Sequence, residues 1–485
     1  MDKKTKVVTN LIWRFFERSG AQLVSFAVSI VLARILEPSM YGPISKVAVV
    51  TAILMVFVDS GMANALIQKK DPDDLDFSSV FYFNVCFCLL LYALLFLTAP
   101  LIAVLYKQPD LTPVLRVLGL TVVVAGVKNV QQAYVSKTLQ FKRFFFATLG
   151  GTLFSAALGI TMALRGFGVW ALVAQQLSNV AVNTAILWFT VGWRPKRMFS
   201  LARLKSLLSY GWKLLSASLL DTIYLQIYPF IIGVRYTNAD LAFFERGRNW
   251  PNLLVENINY SIDSVLLPVM SSEQEDRAQV REMTRRAIKT SSYVMMPLMA
   301  GLAVCAEPLV RLLMTEKWLP AVPFLQVFCV IYAFYPLHTA NLNAIKAMGR
   351  SDIFLILEIL KKTLETLILL FTMRYGVFSM ALGQLCSGVA AQLINAWPNR
   401  RLLDYAYLRQ LKDLAPAVLL SLGMAAAVHT VARLGLADWL TLLIQIPLGA
   451  ALYAGLSALL HLDSFTYILS IVRRYLPGGR REVQE

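Results

Sequence analysis

Long apolar runs alternate with short polar links along the 485 residues of this chain. Read as windows of roughly 20 residues, the length that crosses a bilayer as a helix, the runs predict about fourteen transmembrane helices. They fall near 11–33, 43–68, 77–105, 113–135, 144–164, 168–192, 206–233, 241–270, 287–314, 321–345, 353–373, 377–397, 414–432 and 439–460. The longest polar link, about 271–286, is too short to fold alone, so the chemistry has to take place within the bilayer or at its faces.

The links differ in a regular way. The seven odd ones carry one basic residue each, Arg34, Lys107, Arg165, Arg235, Lys317, Arg374 and Arg433, whereas the N-terminal stretch, the six even links and the tail together carry 27. The positive-inside rule places the loaded side, and with it both termini, in the cytoplasm. The other twelve of the 46 basic residues fall inside the predicted spans: Arg14, Arg18, Lys46, Arg116, Lys128, Lys213, Arg246, Arg248, Lys289, Arg311, Lys361 and Lys362. An ion at the bilayer centre costs about 3 kcal/mol or more unless it faces protein, water or a partner, so these residues are expected to line a polar interior.

Composition narrows the class. At 57% hydrophobic residues and a mean hydropathy of +0.60, no large soluble domain fits. The net charge of +17 sits mostly in short links, where orientation and anionic lipid already account for it; nucleic acid is not an expected partner. Met1-Asp-Lys-Lys-Thr-Lys6 is a charged start, but the run after it is long and lacks a small-residue cleavage site, so it reads as a first span. The expected setting is the cytoplasmic (inner) membrane of a bacterium. Cys86, Cys88, Cys305, Cys329 and Cys386 lie in apolar runs without a Cys-x-x-Cys pair and read as small core hydrophobes. No disulfide, metal site or cofactor is expected.

A weak repeat organises the chain. Gly168-Val-Trp-Ala-Leu-Val-Ala-Gln-Gln-Leu177 echoes Gly376-Val-Phe-Ser-Met-Ala-Leu-Gly-Gln-Leu385, and Pro113-Val-Leu-Arg-Val117 echoes Pro323-Phe-Leu-Gln-Val327. The echoed segments lie six spans apart, so both copies cross the membrane in the same direction. The organisation that follows is a six-helix lobe over 1–192, a basic linker over 193–205, a second six-helix lobe over 206–397, two further helices over 398–460 and a basic amphipathic tail over 461–485, with the lobes facing a central cavity. Leu201, Leu204, Leu207 and Leu208 recur at helical spacing, so the linker reads either as an amphipathic helix on the cytoplasmic surface or as a plain charged connection. In the tail, Phe465, Ile468, Leu469, Val472 and Leu476 form one apolar face, and Arg473 and Arg474 can snorkel.

No catalytic residue stands out. The chain lacks a Gly-x-x-x-x-Gly-Lys-Ser/Thr loop, a His-Glu-x-x-His helix and a Gly-x-Ser-x-Gly elbow, and its three histidines, His338, His429 and His461, lie far apart. Membrane glycosyltransferases and ligases remain the enzymatic alternative, but they usually display their chemistry on a large external loop. The odd links are only about four to ten residues long by the same window reading.

The intramembrane charges carry the positive signal. Arg14 and Arg18 share a helical face with Glu17 beside them, and a guanidinium suits an anionic head group such as pyrophosphate. Arg14, near the helix start, alternatively snorkels to the interface. Lys213 and Asp221 hold the matching place in the second lobe, followed by Tyr224, Gln226 and Tyr228, which can meet sugar hydroxyls or pair within the protein. The eighth span is the most polar, with Glu245, Arg246, Arg248, Asn249, Asn252, Glu256, Asn257, Asn259 and Asp263. A helix this wet cannot face lipid, so Arg246, Arg248 and Asn252 join the candidate cavity residues. Glu358, Lys361, Lys362 and Glu365 pair by spacing within their own helix. Asp59, and Lys128 with Asn129, Gln131 and Gln132, are lesser candidates.

Several ordered segments are similar to a known family. Ser25-Phe-Ala-Val-Ser-Ile-Val-Leu-Ala-Arg-Ile-Leu-Glu-Pro-Ser-Met-Tyr-Gly42, Val58-Asp-Ser-Gly-Met-Ala-Asn-Ala-Leu-Ile-Gln-Lys-Lys70, Gly166-Phe-Gly-Val-Trp-Ala-Leu-Val-Ala-Gln-Gln176 and Glu316-Lys-Trp-Leu-Pro320 resemble the Wzx-type polysaccharide flippases of the multidrug/oligosaccharidyl-lipid/polysaccharide (MOP) superfamily, in particular the colanic-acid exporter-like branch. The resemblance runs over nearly the whole chain. It implies an all-α integral membrane fold of MATE/MOP type with fourteen helices in two pseudo-symmetric lobes plus two. It also implies alternating-access translocation of undecaprenyl-pyrophosphate-linked oligosaccharide for exopolysaccharide, capsule or O-antigen (lipopolysaccharide) synthesis.

Membrane lipid and the polysaccharide polymerase and copolymerase machinery are the other implied partners. Ion-driven transport is implied too, with Asp59, Asp221 and Glu256 as candidate sensors of H+ or Na+. In one place the chain departs from the pattern: a Tyr-Asn-Arg-Ala-like stretch is replaced by Phe244-Glu-Arg-Gly-Arg248, so substrate contacts on the eighth span do not carry over. A multidrug or small-molecule antiporter of the same fold is the alternative, which the net-positive set of intramembrane charges disfavours.

Overall fold

A computed structural model describes residues 20–59 and 62–475, with backbone alone at 206, 209–210, 213–214, 260–261, 263–264 and 471–475. Among the described residues the regular structure is entirely helical, and ten helical stretches are long and apolar enough to cross a membrane. In order the α-helices are α1 (Gly20–Ile35), α2 (Tyr41–Asp59), α3 (Met62–Gln68), α4 (Asp74–Leu105), α5 (Leu111–Lys137), α6 (Phe141–Leu164), α7 (Val169–Thr190), α8 (Leu201–Arg235), α9 (Asn238–Ser272) and α10 (Arg277–Val304). They continue with α11 (Ala306–Met314), α12 (Val322–Ala333), α13 (Tyr335–Ala347), α14 (Ser351–Thr372), α15 (Val377–Ala396), α16 (Asn399–Leu402), α17 (Tyr407–Ala432), α18 (Asp438–Leu459) and α19 (Asp463–Tyr475). The protein is a multi-pass helical membrane protein.

Helical structure covers the described part of every predicted span, and among the described residues two spans are divided. Residues 287–314 become α10 and α11 with Cys305 between them, and residues 321–345 become α12 and α13 around Phe334; α2 and α3 lie on either side of residues 60–61, which are outside the described part. Pro336 sits in the first turn of α13, where its missing N–H costs nothing. Four predicted spans fall outside the ten: the first is described only from Gly20, and α7, α9 and α14 carry polar or charged residues through their middles, such as Gln175, Asn179 and Asn183 on α7.

Contacts divide the chain into two compact units, residues 1–242 and 243–485. In the first, α6 packs on α7, α4 on α5, and α2 on α8 and α5. Among the described residues three core clusters result: one around Leu32, Val47, Leu115 and Leu172, one around Leu66, Phe81, Leu187 and Trp193, and a smaller one around Val58, Cys88 and Val122. In the second unit α10 packs on α17 and α12, and α14 on α15. Buried Tyr453 of α18 donates its hydroxyl to the Tyr293 carbonyl at 2.8 Å.

The repeat has a local structural signature. Gly168 and Gly376 each N-cap their helix, α7 and α15, with φ of +55° and +108°. An L side chain rarely adopts that backbone, which accounts for glycine at both echoed positions.

Residues 193–205 do not form the separate surface helix that the leucine spacing allows. The backbone over 191–200 is non-helical, and α8 starts at Leu201 and runs unbroken to Arg235. Ser78 and Ser79 of α4 accept hydrogen bonds from the N–H groups of Lys196 and Ser200, Gln131 donates to the Trp193 carbonyl, and the Ser200 hydroxyl accepts from Arg203 N to start the helix. These partners satisfy backbone groups that a helix would otherwise pair. Leu204 and Leu207 are buried in the core of the first unit.

Candidate binding site in the first unit

The three even links of the first unit, and the eighth and twelfth links in the second, come together within their units. In the first, Lys137 donates to the carbonyls of Ile67 and Lys69, Lys69 and Arg203 pair with buried Asp76, and Lys196 pairs with Asp74. In the second, Arg281 and Arg409 pair with Asp404, and Arg285 and Lys289 pair with Asp413. Odd-link residues pair with residues of the spans instead: Gln108 accepts from Lys46 at 3.1 Å, and Asp438 pairs with Arg311.

The first unit holds a cavity of ≈ 480 Å³ where α8 passes α2 and α3. Asp59 of α2, Asn64 of α3 and Ser218, Thr222 and Gln226 of α8 line it with polar groups, and Met55, Val56, Leu215 and Leu225 form apolar wall. The three α8 positions lie about 14–26 Å along the axis from Arg235, at about 1.5 Å per residue, well inside a helix of bilayer-spanning length. Lys128 of α5 interacts electrostatically with Asp59 from outside the lining, and neighbouring Asn129 donates to the Val58 carbonyl at 2.7 Å, holding the end of α2 in place.

Of the candidates read from sequence, the cavity brings together Asp59 and Gln226. Asp221 and Tyr224 lie one turn apart on α8 beside the lining positions, Asp221 exposed and Tyr224 half-buried, and Tyr228 is fully buried. Lys213 lies on α8, with its side chain outside the described part; Arg14 and Arg18 lie outside the described residues. In the second unit the polar residues of α9 find partners close by. Arg248 pairs with Glu245 at 3.0 Å, Asn252 donates to Glu256 at 2.7 Å, and the Arg246 guanidinium stands over the Trp318 ring at 5.3 Å. Lys361 pairs with Glu358 at 2.6 Å, as their spacing on α14 predicts. Among the described residues no group of three or more His, Cys, Asp or Glu could hold a metal ion.

Asn64, Ser218 and Thr222 escaped the sequence reading. The signal was present as Leu215, Ser218, Thr222, Leu225 and Gln226, which recur at helical spacing and define one face of α8.

Residues 31–323, more than half of the chain, match the family model described as polysaccharide biosynthesis protein. The chain belongs to that family. It is 26% identical over 309 residues to the teichuronic acid biosynthesis protein TuaB of Bacillus subtilis, covering 62% of this chain and 63% of that one. It is 23% identical over 320 residues to the succinoglycan biosynthesis transport protein ExoT of Rhizobium meliloti, covering 66% and 65%. The chain thus spans just under two thirds of the length of these two family relatives.

Among solved structures, the fold is similar to that of the lipid II flippase MurJ in an inward closed conformation, with a TM-score of 0.75 at 15% identity over 94% of this chain and 99% of that one. It is also similar to an inward-facing multidrug resistance MATE transporter of the MOP superfamily, with a TM-score of 0.62 at 16% identity over 79% and 94%. The chain therefore has the all-α fold of these two transporter structures.

Proposed function

We propose that this protein is a flippase rather than an enzyme, moving an undecaprenyl-pyrophosphate-linked oligosaccharide across the bacterial cytoplasmic membrane by alternating access. The family match carries this reading, in a chain whose first unit holds a polar cavity of ≈ 480 Å³ at membrane depth. ExoT, named as a transport protein of polysaccharide synthesis, supports it. The cavity's described lining residues present hydroxyls, amides and the Asp59 carboxylate, an arrangement suited to holding a saccharide.

Both termini belong in the cytoplasm on this reading. The meeting of basic even links with one another within each unit supports that orientation, because links that share a membrane face can reach one another. The cationic residues Arg14 and Arg18 are assigned to the diphosphate, H+ or Na+ to the coupling step through Asp59, Asp221 or Glu256, and the polymerase and copolymerase machinery to the step after export.

Depletion of the protein in its host is the test. Completed lipid-linked repeat units should accumulate on the cytoplasmic leaflet, chemically unchanged and out of reach of a membrane-impermeant sugar oxidant. Shortened or unligated glycans on the outer leaflet would instead establish an enzyme.

A further inference from the structure

We infer that the cavity between α2, α3 and α8 is a saccharide subsite that accepts an uncharged sugar of the cargo and rejects an acidic one. The inference rests on the transport reading and adds to it the chemistry of what this cavity takes.

Size is the first argument. A volume of ≈ 480 Å³ lies within the roughly 300–1,000 Å³ of small-molecule pockets. A dehydrated cation would need oxygens closing in to about 2–2.6 Å instead. The wall is the second argument. Met55 and Leu225 give apolar surface for the C–H face of a pyranose, and Asn64, Ser218, Thr222 and Gln226 supply both donors and acceptors for its hydroxyls. Among the described residues none of these four polar side chains makes a hydrogen bond to another protein group. Four side chains on one wall with donors and acceptors to spare favour a partner rich in hydroxyls.

Charge is the third argument. Among the described lining residues the one ionisable side chain is Asp59; Lys128, which interacts with it electrostatically, is not among them. A sugar hydroxyl can donate to that carboxylate. A uronate or a diphosphate would place a second negative charge beside it, where low dielectric strengthens repulsion. An interface rejects wrong partners through such like-charge contacts.

The test uses purified full-length protein in proteoliposomes and two polyprenyl-diphosphate-linked trisaccharides that differ only in one sugar, hexose or hexuronate. Initial transport rates of the two are compared on each variant, so a loss of ion coupling lowers both rates and leaves their ratio unchanged. We expect the wild type to favour the neutral cargo by about tenfold or more, Asp59→Asn to bring the ratio within about threefold, and Gln226→Glu, which adds a second carboxylate, to raise it. Thr222→Trp, which fills the cavity, should slow the neutral cargo about tenfold at unchanged protein abundance and melting temperature.

A ratio that neither Asp59→Asn nor Gln226→Glu alters overturns the subsite while leaving the transport reading standing. A wild type that moves neither cargo but exchanges tetraphenylphosphonium overturns both.

Discussion

Arg285 of α10 grips Asp413 of α17 with two donors, Nε at 2.9 Å from one carboxylate oxygen and Nη2 at 2.9 Å from the other. The Tyr405 hydroxyl adds a third hydrogen bond to Asp413 at 2.7 Å, and Lys289 stands 3.7 Å away. The partners differ in setting: the Asp413 side chain is 11% exposed and that of Arg285 45%. Asp413→Ala should therefore cost about 1–3 kcal/mol by stranding its donors. Arg285→Ala should cost about 1 kcal/mol or less, since its head is solvated and Lys289 remains. Thermal unfolding in detergent checks this; the reverse order would show that the contact is not the tie between α10 and α17.

Gly247 of α9 packs against the start of α12, where an added Cβ would lie 2.5 Å from Phe324 Cβ and 2.7 Å from Leu325 N. Backbone cannot yield as a flexible side chain does, so Gly247→Ala should destabilise by about 1–3 kcal/mol. Gly423 on α17 has nothing within 4 Å, and Gly423→Ala should be neutral or stabilise by up to about 1 kcal/mol. Equal melting temperatures for the two variants would refute the close approach of α9 and α12.

The Asp73 carboxylate caps α4 by accepting from Asp76 N at 2.9 Å, and that bond, helped by Arg203 and Lys69, holds its pKa below the ordinary carboxylate value. A depressed folded pKa contributes stability above the unfolded value of about 3.9, and the contribution is lost as pH falls through the folded value. Amide exchange at Phe77 and Ser78 should therefore quicken below about pH 4 in the wild type. Asp73→Ser, which caps without a charge, should abolish that acid-dependent step, and an unchanged step would place its cause elsewhere.

Lys196, Arg281 and Arg409 belong to even links and pair with Asp74, Asp404 and Asp404 within their units. Lys317 belongs to an odd link. Single cysteines at 196, 281 and 409 should resist an impermeant maleimide in intact cells and react after permeabilisation, while one at 317 reacts at once. Rapid labelling at 281 or 409 in intact cells would invert the topology.

The helices were legible because bilayer-length apolar runs leave few other options, and the basic links because a charge excess is visible without geometry. The breaks at Cys305 and Phe334 were not, although Pro308 and Pro336 follow them, because proline also sits inside unbroken membrane helices, as Pro100, Pro229, Pro297 and Pro416 do here. Ser218, Thr222 and Asn64 were passed over for a related reason. A small polar residue in an apolar helix more often packs against a neighbouring helix, and only the approach of α8 to α2 and α3 turns these three toward one cavity. The α9 charges are the opposite case: Glu245, Arg248, Asn252 and Glu256 stand out in sequence, but which neighbour each pairs with, one turn away, needs the structure.

That pairing separates two roles for Arg248. If its work is to neutralise Glu245, 3.0 Å away with both side chains about one-fifth exposed, Arg248→Gln leaves a half-buried carboxylate without its cation. The expected cost is about 1–3 kcal/mol, with lower abundance in the membrane. Glu245→Gln added to it should then restore both abundance and export, because the two amides can hydrogen-bond at i, i+3 without a net charge. If Arg248 instead holds a diphosphate, the second substitution restores abundance alone and export stays low. The geometry favours the first outcome, since the guanidinium already spends contacts on Glu245 and on the Phe244 ring at 5.9 Å. A double variant that is abundant yet exports less than about a tenth of the wild-type amount would return Arg248 to the substrate site, at the loss expected for one charge-assisted contact.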